Sequence, residues 1–300
     1  MPRPWRSSSW SEPANRVPGF PAPSRAGFPY PGDGYEPAPV GGPDPTSGVK
    51  LGNYMLTLSY EGTGYKGFQK QPGLPTVQGK LEEALGRVAV LESPLYAAGR
   101  TDAGVHAKGQ VVNFHGKLRV APERLPRSLN ALLPPDIAVL GCREVEEGFH
   151  ARRSALAREY AYYLFLGAYP SPFLRRFSFH VGRGLDEEAM KEALSGVPGV
   201  HDFASFCRRE EGRSTVREVM EARIFRQGEL LCVRVRANAF AWMMMRMLCG
   251  ALLEVGKGRW SPGSFLELLH EGERDRPVPA LPPHGLFLEK VYYPFDPPPL

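Results

Sequence analysis

MEARIFRQGELLCVRVR, residues 220–236, reads as two strands, Met220–Phe225 and Leu230–Arg236, folded back on each other around a turn at Gln227-Gly228. So short a connection joins antiparallel neighbours, because a parallel pair needs a crossover of about a dozen residues or more. Beyond it, Ala239–Val255 is apolar nearly all round, the pattern of a buried helix. Ser261-Pro262 caps a helix through Leu269, and Leu286–Tyr292 is a last strand. On the N-terminal side, Asp186 opens a helix to Leu194, and Tyr160–Leu166 is strand-like. Residues 122–133 suggest a helix. Residues 95–98 and 110–115 are strands flanking a glycine-punctuated loop. Val77, Leu81, Leu85 and Val88 give residues 77–91 helical spacing behind a Thr76 cap. Tyr54, Leu56, Leu58 and Tyr60 alternate as a strand. Strands and helices mix throughout and no repeat is visible. The expected class is α+β, two sheets with helices on one face, rather than a doubly wound parallel fold.

The chain of 300 residues is long enough for about two domains with a full core. Residues 1–50 stand apart. They hold 12 of the 31 prolines and no apolar period, so they bury too little to offset their ordering entropy and read as a disordered tail. The segment lacks the apolar core of a secretory signal, and its acidic residues argue against a transit peptide. An over-long translation start, with the protein proper beginning near Met55, is the other reading. No stretch approaches the ~18–20 unbroken apolar residues of a membrane span. Cys142, Cys207, Cys232 and Cys249 form no CxxC pair and the histidines show no ligand spacing, so neither a disulfide framework nor a metal site is expected. Free thiols suit a reducing cytosol. The net charge is +5, and 28 of the 37 cations are Arg, the better bidentate partner for phosphate and carboxylate.

Gly62-Thr63-Gly64-Tyr65-Lys66-Gly67 matches GxGxxG after a strand, but Pro72 and Pro75 deny the helix that a dinucleotide site requires. A loop presenting Lys66, Gln69 and Lys70 to an anionic partner fits better. The most informative stretch is Ala98–Gln110, AGRTDAGVHAKGQ. Arg100 and Asp102 stand two apart and point the same way in extended backbone. A guanidinium beside a carboxylate lowers its pKa, so an ionised Asp102 is a candidate nucleophile. A structural ion pair pinning a turn explains the same residues equally well. Arg246 lies in the middle of the apolar helix, where a guanidinium needs an anionic partner, and Asp102 would serve. Snorkelling to the surface is the alternative. Basic and aromatic residues interleave at Phe149–Arg153, Arg158–Tyr163 and Phe203–Arg209, a combination suited to phosphates and unpaired bases.

On Gly99-Arg100-Thr101-Asp102-Ala103-Gly104-Val105-His106, the chain resembles the tRNA pseudouridine synthase A family. The likeness runs from about Tyr54 to about Pro294. It takes in Tyr60-Glu61-Gly62, Gly67-Phe68-Gln69, Thr76-Val77-Gln78, Gln110-Val111-Val112, Phe149-His150-Ala151-Arg152, Asp202-Phe203 and Asn238-Ala239-Phe240 leading to Met244 and Arg246. The resemblance implies the pseudouridine synthase fold, two α+β halves around a basic cleft. Behind the tail these are an N-terminal domain, residues 51–150, carrying the loop, and a C-terminal domain, residues 151–300. It implies isomerisation of uridine at positions 38, 39 and 40 of the tRNA anticodon stem–loop, without a cofactor, by a cytoplasmic homodimer. Carried over residue by residue, Asp102 is the nucleophile, Arg100 the arginine beside it, and Arg246 the partner of the carboxylate. Tyr160 is the active-site tyrosine. Beside these, Lys66, Gln69, His106 and Arg152 are expected as substrate contacts on this chain's own residues. Two positions depart from the family pattern: Met243 stands where His is common, and Phe68 where Trp is usual. An RNA-binding module that has lost catalysis, and a nucleotide-dependent enzyme built on GxGxxG, are the rival readings.

Overall fold

The computed structural model describes residues 51–271 and 277–296, and the segment read as a tail falls outside them. In chain order, β1 (Leu51–Tyr60) leads to α1 (Val77–Val88), β2 (Ala89–Leu91), β3 (Tyr96–Ala97) and β4 (His106–Leu118). A 3-10 turn (Pro122–Arg124), α2 (Leu125–Asn130) and β5 (Ile137–Val145) follow. Next come β6 (Ala157–Phe165), β7 (Phe179–His180), α3 (Glu187–Ser195), β8 (Gly199–Asp202) and a 3-10 turn (Phe203–Phe206). The chain continues through β9 (Val216–Gln227), β10 (Leu230–Ala237), α4 (Met244–Gly256), α5 (Pro262–Glu271), a 3-10 turn (Pro283–Gly285) and β11 (Leu286–Tyr292).

Local chemistry accounts for most of these boundaries. Gly228 adopts φ +61°, the left-handed backbone that lets β9 and β10 reverse over two residues, with Gln227 paired to Leu230. The Thr76 hydroxyl accepts from the Gly79 amide at 3.2 Å, and the Asp186 carboxylate accepts from the Ala189 amide at 2.9 Å. Both satisfy an N–H that the first helical turn leaves without a partner. Along β10, Leu231, Val233, Val235 and Ala237 are fully buried on the face that meets the helices. Arg234 and Arg236 lie on the other face and pair with Glu159 and Glu221.

The sheet is one, not the expected two. Its path runs β5-β1-β4-β11-β6-β10-β9-β8, with β2 and β3 also on β4 and β7 on β6. The joint is β11, which pairs antiparallel with β6 and parallel with β4 through Phe287–His106 and Leu288–Ala107. The last strand therefore lies between β4 and β6 and ties them into one sheet.

Three helices differ from the sequence expectation. The helix expected over 77–91 stops at Val88, because Ala89–Leu91 pairs with the end of β4. The helix expected over 122–133 is a proline-initiated 3-10 turn followed by the short α2. The long helix expected from Ala239 begins only at Met244. Met243 takes φ +62°, a left-handed conformation that costs an L-residue about 1–2 kcal/mol and breaks the helix. Residues 239–243 are therefore irregular backbone, free to line a cleft.

Candidate active site

Ala98 leaves β3 and Val105 enters β4, and between them the loop is held from below. The Ala98 amide donates to the Val111 carbonyl at 2.8 Å. Buried Gln110 donates from Nε2 to the Gly99 carbonyl at 2.7 Å, and Thr101 shares a 2.8 Å hydrogen bond with the Tyr60 hydroxyl. The GxGxxG segment is the other support: no helix opens on it, and the Phe68 amide donates to the Thr101 carbonyl at 3.0 Å. Gly104 completes the turn at φ +78°, with Pro283 only 2.9 Å from where a Cβ would stand. Asp102 thus projects from an immobilised loop, its side chain about one-third exposed (31%).

That side chain faces a cavity of about 1070 Å³. The Asp102 loop, Tyr160 of β6, residues 239–246 and the rim residues Lys66, Gln69, Arg152 and Arg213 line it. Arg246 comes up from the first turn of α4. Its Nη1 lies 3.8 Å from Asp102 Oδ2, and its Nε donates to the Leu281 carbonyl at 2.7 Å, which fixes the guanidinium plane. Arg100 does not pair directly with Asp102. Its Nη1 donates to Gln69 Oε1 at 2.6 Å, so it acts on the carboxylate through space.

The direction of the Asp102 shift, though not its ionisation, departs from the sequence expectation. Burial raises its carboxyl above the ordinary carboxylate value, and this outweighs the opposing pull of Arg246, the Trp242 side chain, Arg100 and Arg208. A carboxylate with less water around it is a stronger nucleophile, and the arginines keep its charge compensated. Tyr160, with its ring edge-on to Phe240 at 4.7 Å, is pushed upward, chiefly by burial. It stays a neutral phenol at physiological pH.

His106 is not on the cleft. It is fully buried, Nδ1 accepts from the Gly62 amide at 3.0 Å, and Nε2 donates to the His284 carbonyl at 3.2 Å. Its ring stacks on Phe287 at 4.6 Å. It is a core residue at the β4–β11 joint, and the expected substrate contact is not kept. His106→Ala is expected to cost on the order of 2–4 kcal/mol, because a buried amide and a half-buried carbonyl lose their partner and the ring's packing on Phe287 is lost. Denaturant unfolding measures this. A wild-type midpoint combined with weakened RNA binding would put His106 back on the cleft.

One site residue, Trp242, escapes the sequence reading, and Arg208 enters it only as part of the basic and aromatic run Phe203–Arg209. Trp242 falls within the apolar run from Ala239, yet it is 44% exposed and lines the cavity. The Arg208 guanidinium lies 5.3 Å from the centre of its ring, and the Arg208 amide donates to the Trp242 carbonyl at 2.9 Å. Nothing local in the sequence separates Trp242 from its buried neighbours. Only the break at Met243 turns it outward.

A confined carboxylate under several guanidiniums, walled by aromatic rings and rimmed by cations, is the equipment of an enzyme that modifies a nucleic-acid base. The model of the tRNA pseudouridine synthase family matches residues 57–152 and 193–294. The tRNA pseudouridine synthase A of Bacillus pumilus is 42% identical over 240 residues, covering 79% of this chain and 97% of the relative. That of Gloeobacter violaceus is 46% identical over 244 residues, covering 81% and 80%. That of Bacillus subtilis is 40% identical over 243 residues, covering 79% and 97%. The chain belongs to the tRNA pseudouridine synthase family, and so to the isomerases that act on tRNA.

Proposed function

We propose that the cleft receives a uridine turned out of the tRNA anticodon stem–loop, at positions 38, 39 and 40, and converts it to pseudouridine. The observation that carries this reading is the Asp102–Arg246 pair on the floor of a cleft with aromatic walls, in a chain of this family. Isomerisation breaks the bond from the sugar C1′ to N1 and makes one from C1′ to C5. The C5 proton leaves, N1 takes up a proton, and no electrons are exchanged with any other group. Asp102 is the nucleophile that retains one fragment while the other turns. Arg246 holds its charge and aim. Tyr160 packs against the base, and Arg100, braced by Gln69, occupies the space the base vacates in the stem, since a base must leave the stack to be reached. Lys66 and Arg152 engage phosphates from the rim. The family resemblance supports the stem–loop target and a homodimer, and four free cysteines accord with a cytoplasmic setting.

Because the C5 hydrogen is released, tRNA carrying tritium at uridine C5 should lose label to water on incubation with the protein. Retention of all label would refute the reading. Affinity for tRNA should also fall more than about tenfold between ~50 and ~200 mM salt, since each phosphate contact releases counterions. Salt-independent binding would remove the phosphate contacts from the account.

A further inference from the structure

Arg158 stands at the start of β6, two residues before Tyr160 and on the same face. It is 8% exposed, and all five of its N–H groups are used on main-chain oxygens. Nε and Nη2 donate to the Ala98 carbonyl at 3.2 and 2.9 Å. Nη1 donates to the carbonyls of Asn238 at 2.9 Å and Ala155 at 3.2 Å, and Nη2 also reaches the Arg152 carbonyl. Among the described residues, the ionisable groups acting on it are Tyr293, Tyr160 and Arg152, none of them a carboxylate. A buried cation without an anion is costly to keep, and this one has no donor left for a substrate.

Its partners indicate its use. Ala98 is the residue at which the loop carrying Asp102 leaves β3. Asn238 is the first residue after β10, where the chain departs for Met243 and Arg246. The two segments are far apart in sequence and make up opposite sides of the reactive pair.

We propose that Arg158 is a positioning residue: by fastening the Ala98 and Asn238 carbonyls to one rigid guanidinium, it sets the separation of Asp102 from Arg246. The proposal rests on Asp102 being the reactive carboxylate. The groups facing Asp102 are Arg246 on α4, Arg208 after the second 3-10 turn, Trp242, Tyr160 on β6, and Arg100 on its own loop. Arg246 exerts the largest downward pull among them. If the clamp is loosened, Arg246 should draw away and the Asp102 carboxyl should titrate higher.

The test uses the full chain with Arg158→Lys, which keeps the charge but has three donors on one atom, and Arg158→Gln. Carbon-13 NMR follows the Asp102 carboxyl, identified by its loss in Asp102→Asn, alongside kcat and KM on an anticodon stem–loop. The expected result is an upward titration shift of roughly one pH unit. It comes with a fall in kcat of about a hundredfold at little-changed KM, the effect of an ångström-scale misplacement. A variant that unfolds cooperatively yet leaves the Asp102 titration or kcat at the wild-type value overturns the proposal. Failure of both variants to fold makes Arg158 a stability residue and overturns it as well. If the wild-type chain forms no pseudouridine, the proposed function fails, while the Asp102 titration still decides the clamp.

Discussion

Asp102→Asn is expected to lower pseudouridine formation on the order of 10⁴-fold or more, the scale on which removal of a nucleophile acts. The amide keeps the shape of the side chain, and the loop is held by backbone bonds at Ala98, Gly99 and Thr101 that the substitution does not touch. The fold should therefore survive. Stability should stay level or rise. The folded-state pKa of Asp102 is raised by burial, so the protonated form is the one that folding favours, and at neutral pH the ionised carboxylate is a burden on the native state. A neutral amide removes it. Binding of tRNA should persist or tighten, because one negative charge facing a polyanion is gone. Single-turnover assays, thermal unfolding and a binding titration measure the three effects separately. Loss of turnover with binding intact separates an enzyme from a binding module that kept the fold. Near wild-type turnover would remove Asp102 from the chemistry.

Arg246→Met is expected to reduce turnover by roughly 10²–10³-fold, the range for deleting a fixed electrostatic partner. The methionines around it on α4 are buried, so another fills the space without strain. The Leu281 carbonyl loses the donor at 2.7 Å, for about 1 kcal/mol, but it is not left as an isolated segment because the Leu281 amide still donates to the residue 246 carbonyl. The larger effect falls on Asp102. Without its strongest opposing charge, desolvation acts with less resistance and the carboxyl pKa climbs further. The acid limb of the pH–rate profile should move to higher pH. A variant with wild-type turnover and an unmoved acid limb would show that Arg246 is peripheral.

Local pattern carried much of the fold. The hairpin of β9 and β10, the capping by Thr76 and Asp186, and the bounds of β11 all follow from residues close together in the chain. What the pattern did not carry is tertiary. The single sheet depends on the parallel pairing of Phe287 and Leu288 with His106 and Ala107, far apart in sequence, and strand propensity says nothing about which distant edge a strand will join. The start of α4 depends on Met243 accepting a left-handed backbone, which its residue type disfavours. In the site, the apolar run around Arg246 forced the question of its counter-ion, and the structure brings Asp102 to 3.8 Å. The direction of the Asp102 shift is not legible in the sequence, because a neighbouring Arg is visible there while burial is not. The place of His106 is hidden for a related reason. Its motif neighbours line the cleft, but the pairing of β4 with β11 buries its ring against Phe287.

The most direct measurement of the central claim is site-resolved mapping of pseudouridine in unmodified tRNA transcripts after incubation with the purified chain. The account predicts new pseudouridine at positions 38, 39 and 40, and none with Asp102→Asn. Unaltered uridines at those positions, or the same pseudouridines formed by the Asp102→Asn chain, would contradict it.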